Sequence, residues 1–459
     1  MNTLSLMTIH SDGITPVLSS SAMCSPAGAR ALVLMARSCR LFGLKGQVNG
    51  LGKESKEPSM VVKAAMAMCK DFGVIRFPVT KGDGWCWTRM VAWASDAIHV
   101  GKHLVHKTID DGVNAAVRKQ RTIVQAGGAL AEDSMLVLVE PGVYTELVLI
   151  GEGQRVSIWR CDRESEANKT EMQKLEWRSE DKATLVVSGN AFINVTGVHM
   201  SAKKSHDFVG PGFFCANAQS GATLSLERCD VTCESLRVVE VHGAGTNAFL
   251  VGSCIHSGGQ GGVNIHGKAK ARLEHNYIHS NTLSGVIVAD ERTEAVLRSN
   301  CIHLCKKNGV SVFNKAKATL ENNDIHSNGE TGVHVQGEGS EVELSGNHIH
   351  HGKAVGVAIH IKARAHLKHN IITDNDLAGV EIDNRWPCRP PKLMSNTIKG
   401  NGHCTVERSA LMIAGWPEHH IAAFHSVGFP GVMCLKNTFF PPGNNVIEGN
   451  GKCCNVLGN

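Results

Sequence analysis

The pattern of apolar and polar residues between Thr246 and Gly402 repeats with a period of 23 or 24 residues, with one longer step of 26 at the end. Each copy reads roughly Gly-Val-x-Val, a short polar link, Ala-x-Leu and then Asn-x-Ile-His. The first landmark falls at Gly262, Gly285, Gly309, Gly332, Gly356 and Gly379. The last landmark falls at Ile255, Ile278, Ile302, Ile325, Ile349, Ile372 and Ile398. The glycine and isoleucine positions recur at the same intervals, which indicates an architecture of stacked repeats.

Each copy is predicted to form two or three short strands. Its β-branched residues alternate with other residues, as at Val286 and Val288 or Val357 and Ile359, which is typical of half-buried strands. A copy this small cannot bury its own apolar face, but stacked copies bury a continuous one. Parallel crossovers favour the right hand. The sequence therefore predicts an all-β fold, a right-handed parallel β-helix solenoid that rises about 4.8 Å per turn.

One row of asparagines is predicted to run along the inside of this solenoid. Its members are Asn276, Asn300, Asn323, Asn347, Asn370 and Asn396. An amide side chain both donates and accepts, so we expect each amide to bond to the next and to hold a tight corner.

The repeats do not extend over the whole chain. We predict regular repeats over about residues 222–402 within a solenoid of residues 106–459, and an amphipathic capping helix around Thr108–Val117. We predict that residues 1–105 form an irregular N-terminal extension, partly disordered or helical. Residues 1–50 contain one acidic residue, Asp12, a bias compatible with an organelle transit peptide; the alternative is a disordered leader.

Composition narrows the class of protein. The chain has 459 residues, 19% of them charged, and a net charge of +5. No basic cluster is interleaved with aromatics, which argues against nucleic-acid binding, and no apolar run approaches the roughly 18 residues of a membrane span. The 16 cysteines are irregularly spaced and no signal peptide is recognisable. We therefore expect reduced thiols in an intracellular, cytoplasmic protein rather than the disulfide framework of a secreted one.

The Asn-x-Ile and Gly-Val-x-Val rhythm over roughly residues 220–402 resembles the right-handed β-helix repeats called pectin-lyase-like. Within that superfamily it is most similar to the F-box only protein 11 type and the periplasmic copper-protein NosD type. The resemblance implies the fold. The F-box type would also imply substrate recognition in ubiquitin ligation, although residues 1–105 contain no recognisable F-box segment.

Catalytic motifs of this superfamily are largely missing. Residues 142–146 read Gly-Val-Tyr-Thr-Glu and match the GxYxE element of pectin methylesterases, but the aspartate motifs QDTL and DFIFG are absent. The NTD motif of pectinase-type glycosidases is absent too. We therefore predict no catalytic residue, no metal and no cofactor. The best acidic candidates for holding a metal or a sugar are Asp374, Asp376 and Asp383, although turns are commonly Asp-rich.

A second candidate surface is a row of histidines, each following the inward isoleucine of its turn and therefore pointing outward. This histidine row consists of His256, His279, His303, His326 and His350. It would be either a strip for a metal or a polyanion, or a stack of mostly neutral rings. Nitrogens on one zinc ion lie about 3.3 Å apart, closer than turns spaced about 4.8 Å. The spacing therefore favours the stack.

These observations lead to two hypotheses for function. The first is a non-catalytic binding or scaffold module that presents a flat face to a protein or glycan partner. The alternative is a polysaccharide-active enzyme, a lyase, hydrolase or epimerase, which needs an acidic cleft with a basic residue on one face. The missing motifs favour the first hypothesis.

Overall fold

The computed structural model describes residues 8–10, 13–15, 97–128, 134–160, 174–203, 214–382, 392–402, 432–434 and 444–448. Two short strands, β1 (Thr8–His10) and β2 (Gly13–Thr15), pair antiparallel. The chain divides into two compact units. The first unit takes Met1–Tyr144, Gln154–Glu176 and Ile193–Val198, and the second takes Thr145–Gly153, Trp177–Phe192 and His199–Asn459.

The described residues of the first unit include one helix, α1 (Ile109–Gln125). The Thr108 hydroxyl caps it by accepting a hydrogen bond from the Asp111 backbone N–H at 3.0 Å. Its apolar stripe packs against three strands of one parallel sheet: β3 (Ile98–Val100), β4 (Met135–Val139) and β7 (Arg155–Arg160). The predicted helix is therefore confirmed. It extends beyond Val117 because the next chain breaker is Gly127, which has a φ of 72°.

Three further strands lie within residues 142–196, a segment whose parts alternate between the two units. They are β5 (Gly142–Thr145), β8 (Leu175–Glu180) and β10 (Phe192–Thr196). Glu140 and Pro141 connect β4 to β5, which begins at Gly142.

The second unit is a parallel β-solenoid in which successive turns contribute strands to three sheets. Sheet 1 contains β13 (Thr223–Glu227), β16 (Asn247–Val251), β19 (Lys270–Glu274), β22 (Glu294–Arg298), β25 (Lys317–Glu321), β28 (Glu341–Ser345), β31 (Arg364–Lys368) and β34 (Lys392–Met394). Sheet 2 contains β11 (His199–Lys203), β14 (Asp230–Cys233), β17 (Cys254–His256), β20 (Tyr277–His279), β23 (Cys301–His303), β26 (Asp324–His326), β29 (His348–His350), β32 (Ile371–Thr373), β35 (Thr397–Lys399) and β37 (Val446–Glu448). Sheet 3 contains β6 (Val148–Ile150), β9 (Leu185–Val187), β12 (Phe214–Gln219), β15 (Arg237–His242), β18 (Val263–His266), β21 (Val286–Ala289), β24 (Val310–Phe313), β27 (Val333–Gln336), β30 (Val357–His360), β33 (Val380–Ile382) and β36 (Val432–Cys434).

The register of these sheets places like residues directly above one another. Ile278 pairs with Ile255 on one side and with Ile302 on the other, and all three side chains are fully buried. The leucines of sheet 1 and the valines of sheet 3 are buried in the same way. The predicted all-β solenoid with an inward apolar row on every sheet is therefore confirmed.

The predicted asparagine row is also confirmed, and its bonding is complete. The Asn323 amide nitrogen donates to Asn347 Oδ1 at 2.9 Å and to the Leu297 carbonyl at 2.9 Å. Its Oδ1 accepts both the backbone N–H and the side-chain N–H of Asn300, each at 2.9 Å. The same pattern continues to Asn445. Each amide thus satisfies buried backbone groups at the corner, which would otherwise destabilise the fold.

A second, interrupted amide row lies at another corner and was not predicted. Asn375 donates to Asn401 Oδ1 at 2.9 Å, and Asn328 Oδ1 accepts from the Cys305 backbone N–H at 3.1 Å. The row is hard to recognise in the sequence because Cys305 and Gly352 occupy two of its positions.

The periodic glycine has a steric cause. A Cβ on Gly332 would lie 2.6 Å from the Gly356 carbonyl oxygen and 2.6 Å from Ile349 Cγ2. Only glycine therefore allows the next turn to approach this closely.

Among the residues that the structure describes, no helix is long and apolar enough to cross a membrane.

Candidate functional site

The histidine row lies on sheet 2, one ring on each of five successive strands. Neighbouring ring centroids are separated by 5.0, 5.1, 4.8 and 5.0 Å, and the planes of neighbouring rings differ by at most 20°. The isoleucine before each histidine is buried, so the rings point outward. The five rings thus form the stack that the spacing of the turns favours. The use of this row as a binding surface stays a prediction.

Most rings of the histidine row also contact the preceding turn through Nε2. These contacts are His256–Asp230 at 2.9 Å, His279–Cys254 at 3.4 Å, His326–Cys301 at 3.6 Å and His350–Asp324 at 2.9 Å. Nδ1 of His303 is buried without a hydrogen-bond partner among the described residues. The row is therefore stabilised chiefly by contacts within its own sheet.

The electrostatics of the row favour neutral rings. Burial lowers the pKa of His279, and the neighbouring imidazole of His256 lowers it further. Burial likewise lowers the pKa of His303, followed by the effect of His326 and His279. Because an unperturbed histidine has a pKa near 6.5, these rings are uncharged at neutral pH. Neutral rings at these two positions offer little attraction to a polyanion.

The acidic candidates do not come together in a cavity of the described structure. Asp374 and Asp376 lie in the turn between β32 and β33, and both side chains are exposed. Asp374 has a φ of 55°, in the left-handed region that Asp tolerates in turns. Asp383 lies outside the described residues. A binding role for these aspartates stays a prediction.

A cavity of about 330 Å³ opens on the outer face of sheet 1. The strands β25, β28, β31 and β34 form its floor. The charged, imidazole and thioether side chains that line it belong to Glu321, Glu343, His366, Lys368, Lys392 and Met394. Glu343 and Lys392 are exposed and His366 is half-buried, so the cavity is open to solvent along the sheet.

Three unlike groups occupy the same outward position on successive turns of this cavity, and we call them the mixed column. Glu343 lies directly opposite His366, and His366 lies directly opposite Lys392. Neighbouring parallel strands are about 4.8 Å apart, so a carboxylate, an imidazole and an ammonium group lie within the span of one or two sugar units. This combination can bind an anion and move a proton.

Several other carboxylates of the same sheet are paired with cations. Glu321 accepts a hydrogen bond from Arg298 Nε at 2.6 Å. Glu341 is 3.0 Å from Lys317 Nζ, and that hydrogen bond is the main reason that the pKa of Glu341 is lowered. Glu274, Arg298 and Glu321 thus form a ladder of ion pairs on successive turns. These carboxylates are occupied by structural ion pairs, unlike the mixed column.

A buried network on sheet 3 is a further polar feature that the sequence did not reveal. Glu240 Oε1 accepts from Arg237 Nη1 at 3.0 Å and from His266 Nε2 at 2.6 Å. Its Oε2 accepts from Asn264 Nδ2 at 2.9 Å. The Glu240 side chain is only 3% exposed. Because a substrate cannot reach it, the network is better suited to stabilising sheet 3 than to acid–base chemistry.

The mixed column was missed for an identifiable reason. Glu343 and His366 are 23 residues apart, as the repeat requires, but His366 and Lys392 are 26 apart because an insertion precedes β34. Aligning the copies by their leucines, Leu344, Leu367 and Leu393, would have placed the three polar residues in one column.

The chain is similar to one known family and to several solved structures. A family model described as the right handed beta helix region matches residues 187–340 and 286–459. A mutant of the periplasmic alginate epimerase AlgG is 13% identical, with a TM-score of 0.44 over 71% of this chain and 75% of that chain. The Azotobacter vinelandii mannuronan C-5 epimerase AlgE6 A-module is 15% identical, with a TM-score of 0.38 over 76% and 94%. Pectate lyase Pel9A is 10% identical, with a TM-score of 0.39 over 57% and 70%. No curated protein matches.

The comparisons correct one expectation. A non-catalytic module that recognises a protein or glycan partner, including substrate recognition in ubiquitin ligation, is wrong as the main hypothesis. The similar structures are described as epimerases and a pectate lyase, and the alternative of a polysaccharide-active protein fits them better. The expectation failed because it relied on missing motifs of two enzyme classes, whereas one superfold hosts many chemistries. At these identities the likeness itself extends to the fold alone.

Proposed function

The chain belongs to the family of right handed beta helix regions, whose model matches more than half of it, and on that scaffold we propose an enzyme acting on an acidic polysaccharide. The reaction is removal of the proton beside the carboxylate of a uronic-acid unit. Because a fold does not determine an activity, the proposal rests on one observation. That observation is the mixed column of Glu343, His366 and Lys392 in an open cavity.

The mixed column supplies the groups that this reaction needs. The carbon beside a carboxylate is a weak acid, and negative charge develops on the carboxylate oxygens as its proton leaves. The Lys392 ammonium would bind the carboxylate and stabilise that charge. His366, one strand away, would take the proton, and Glu343 on its other side would stabilise the resulting imidazolium.

The electron pair of the broken C–H bond has two possible fates. In a lyase it expels the glycosidic oxygen of the neighbouring carbon and leaves a double bond in the sugar ring, and the departing oxygen takes up a proton. In an epimerase the same carbon receives a proton on its opposite face and no glycosidic bond is broken. The two outcomes differ in their products and share the first step.

Hydrolysis has less support in this cavity. A glycoside hydrolase requires two carboxylates that flank the scissile bond. Glu321 is hydrogen-bonded to Arg298, which leaves Glu343 as the remaining carboxylate of the cavity.

Met394, 51% exposed, adds an apolar surface for the face of a sugar ring. The net charge of +5 favours an anionic polymer over a neutral one.

The experiment is turnover by the purified full chain on polymers of single uronic acids, with neutral glucans as a comparison. Ultraviolet absorbance detects the unsaturated ends made by a lyase, and proton NMR detects inverted units made by an epimerase. We expect Lys392→Ala to lose most turnover at low substrate concentration, because it removes the cation that binds the carboxylate.

The matched control is Lys270→Ala, a lysine of the same sheet that is ion-paired with Glu294 at 2.8 Å and lies outside the cavity. It is expected to turn over the polymer at the rate of the unmodified chain. Equal activity of both variants would contradict the proposal, as would the absence of any turnover of uronate polymers.

The finer resemblance of the repeats, to the F-box only protein 11 and NosD types, stays a prediction, and the proposal does not rest on it. The cellular location and the boundary at residue 105 are likewise predictions.

A further inference from the structure

The outer face of sheet 2 carries a cluster of metal-ligating groups at one end of the histidine row. Asp324 on β26 lies directly opposite His348 on β29, and His350 lies two residues further along the same strand. All three side chains therefore point outward from neighbouring turns. This cluster is on a different sheet from the cavity of the proposed enzyme.

The two imidazoles converge on a single oxygen of the carboxylate. Asp324 Oδ1 lies 2.9 Å from His350 Nε2 and 3.7 Å from His348 Nδ1. The three ligand atoms all lie within 4.8 Å of one another. A cation held at about 2.0–2.2 Å from ligands at angles of 90–120° requires separations of roughly 2.9–3.7 Å. Both oxygen–nitrogen separations match this requirement.

A second carboxylate on the same face shows how an ordinary hydrogen-bonded arrangement differs. Asp230 also contacts two histidines, but it uses a different oxygen for each. Its Oδ1 is 2.9 Å from His256 Nε2 and its Oδ2 is 2.9 Å from His199 Nδ1. Each imidazole there has its own acceptor. At Asp324 both imidazoles point at one oxygen, so one of them lacks an ideal hydrogen bond unless an ion lies between them.

The ring of His350 is held in place from its other side. Its Nδ1 lies 2.6 Å from Nδ1 of His351, so one of these nitrogens donates a hydrogen bond to the other. The ring also stacks on His348 at a centroid separation of 3.9 Å and on His326 at 5.0 Å. An outer hydrogen bond that fixes the orientation of a ligating imidazole is characteristic of metal sites.

We propose that Asp324, His348 and His350 bind one divalent transition-metal cation such as Zn²⁺ or Co²⁺. Two imidazoles and one carboxylate suit zinc and its neighbours rather than calcium or magnesium, which take oxygen ligands. The side chains of Asp324 and His348 are 50% and 47% exposed, so the remaining coordination positions face water. The site does not depend on the polysaccharide activity.

The test is titration of the full chain, freed of metal with EDTA, with Co²⁺ followed by visible absorption and with Zn²⁺ followed by calorimetry. We expect one equivalent to bind, and Asp324→Asn and His348→Ala each to weaken binding at least tenfold. Circular dichroism checks the fold of each variant. If Asp324→Asn fails to fold, His348→Ala carries the same test because its side chain is half exposed.

The matched control is Asp230→Asn, which removes the carboxylate that also contacts two histidines of sheet 2. It is expected to bind Co²⁺ as the unmodified chain does. Cys301→Ser is expected to bind unchanged as well, because the thiol is not among the proposed ligands. The proposal is overturned if the unmodified chain binds no metal, if Asp324→Asn binds it equally well, or if Asp230→Asn or Cys301→Ser abolishes binding.

Discussion

The histidine row on sheet 2 and the mixed column on sheet 1 are products of the same repeat, yet their side chains have different surroundings. In the histidine row like rings stack on like rings, and most contact a neighbour of the preceding turn. In the mixed column a carboxylate, an imidazole and an ammonium group follow one another at the edge of a cavity. In a solenoid, uniform columns stabilise the stack, whereas a column of unlike residues is where chemistry is expected.

The largest effect should come from breaking the mixed column. We expect His366→Ala to reduce turnover of a polyuronate about 10²–10⁴-fold, the usual contribution of a general base, without measurable loss of stability. His303→Ala, in the histidine row, should leave turnover unchanged. Steady-state kinetics on both variants, with thermal unfolding as the check on folding, measures the difference. Equal turnover by the two variants would remove the distinction between the columns.

The next largest effect should come from breaking a uniform column inside the solenoid. Asn323→Ala removes an amide that makes four hydrogen bonds and leaves buried groups of Asn300 and Leu297 unsatisfied. We expect a loss of about 3 kcal/mol or more in the free energy of unfolding, since each buried unsatisfied group costs about 1–3 kcal/mol.

Asn247→Ala is the control, because among the described residues the Asn247 side chain bonds only to the nearby Gly245 carbonyl, at 2.8 Å. It should lose far less stability in urea denaturation. Similar losses in the two variants would show that the buried amide row is not what holds the corner.

A smaller, pH-dependent effect is expected at Glu227, which faces Val251 on the next turn. Burial raises the pKa of Glu227 to about 7. The folded state therefore keeps a proton that the unfolded state releases near pH 4.5, and stability falls as the pH rises from about 4.5 to about 7. Glu227→Gln should be more stable than the unmodified chain at pH 8, on the order of 2 kcal/mol, and similar to it below pH 4.5.

Urea denaturation at the two pH values measures this difference. Glu274 offers the comparison on the same sheet, because Arg272 contacts its carboxylate at 2.5 Å. Glu274→Gln should therefore destabilise the protein at pH 8. A Glu227→Gln variant that is less stable at pH 8 would contradict the raised pKa of the buried Glu227.

The smallest effect concerns the titration of the histidine row. The pKa of His303 is lowered in the folded state, so below about pH 6.5 the unfolded state binds the proton first and stability falls with falling pH. His303→Phe keeps the stacked ring and removes the titration. Its melting temperature should fall less between pH 7.5 and 5.5 than that of the unmodified chain. An identical fall in both would show that His303 does not contribute.

The uniform columns can be predicted from the amino-acid sequence alone. A residue repeated at a fixed step, such as Asn300 and Asn323, has the same backbone role on every turn, so its position follows from the period. The mixed column has no repeated residue, and the insertion before Lys392 gives this lysine a spacing that differs from the repeat period. Which outward side chains share a cavity depends on loops and neighbouring turns, and the repeat does not encode this.

The most direct test of the central claim is solvent deuterium exchange. The unmodified chain is incubated with a polyuronate in D₂O, and NMR follows the proton on the carbon beside the carboxylate. If His366 abstracts that proton, units processed to an epimerised product acquire deuterium at this carbon, or lyase cleavage removes the proton altogether, and His366→Ala shows neither change. Retention of the proton with the unmodified chain, or equal loss with His366→Ala, would contradict the account.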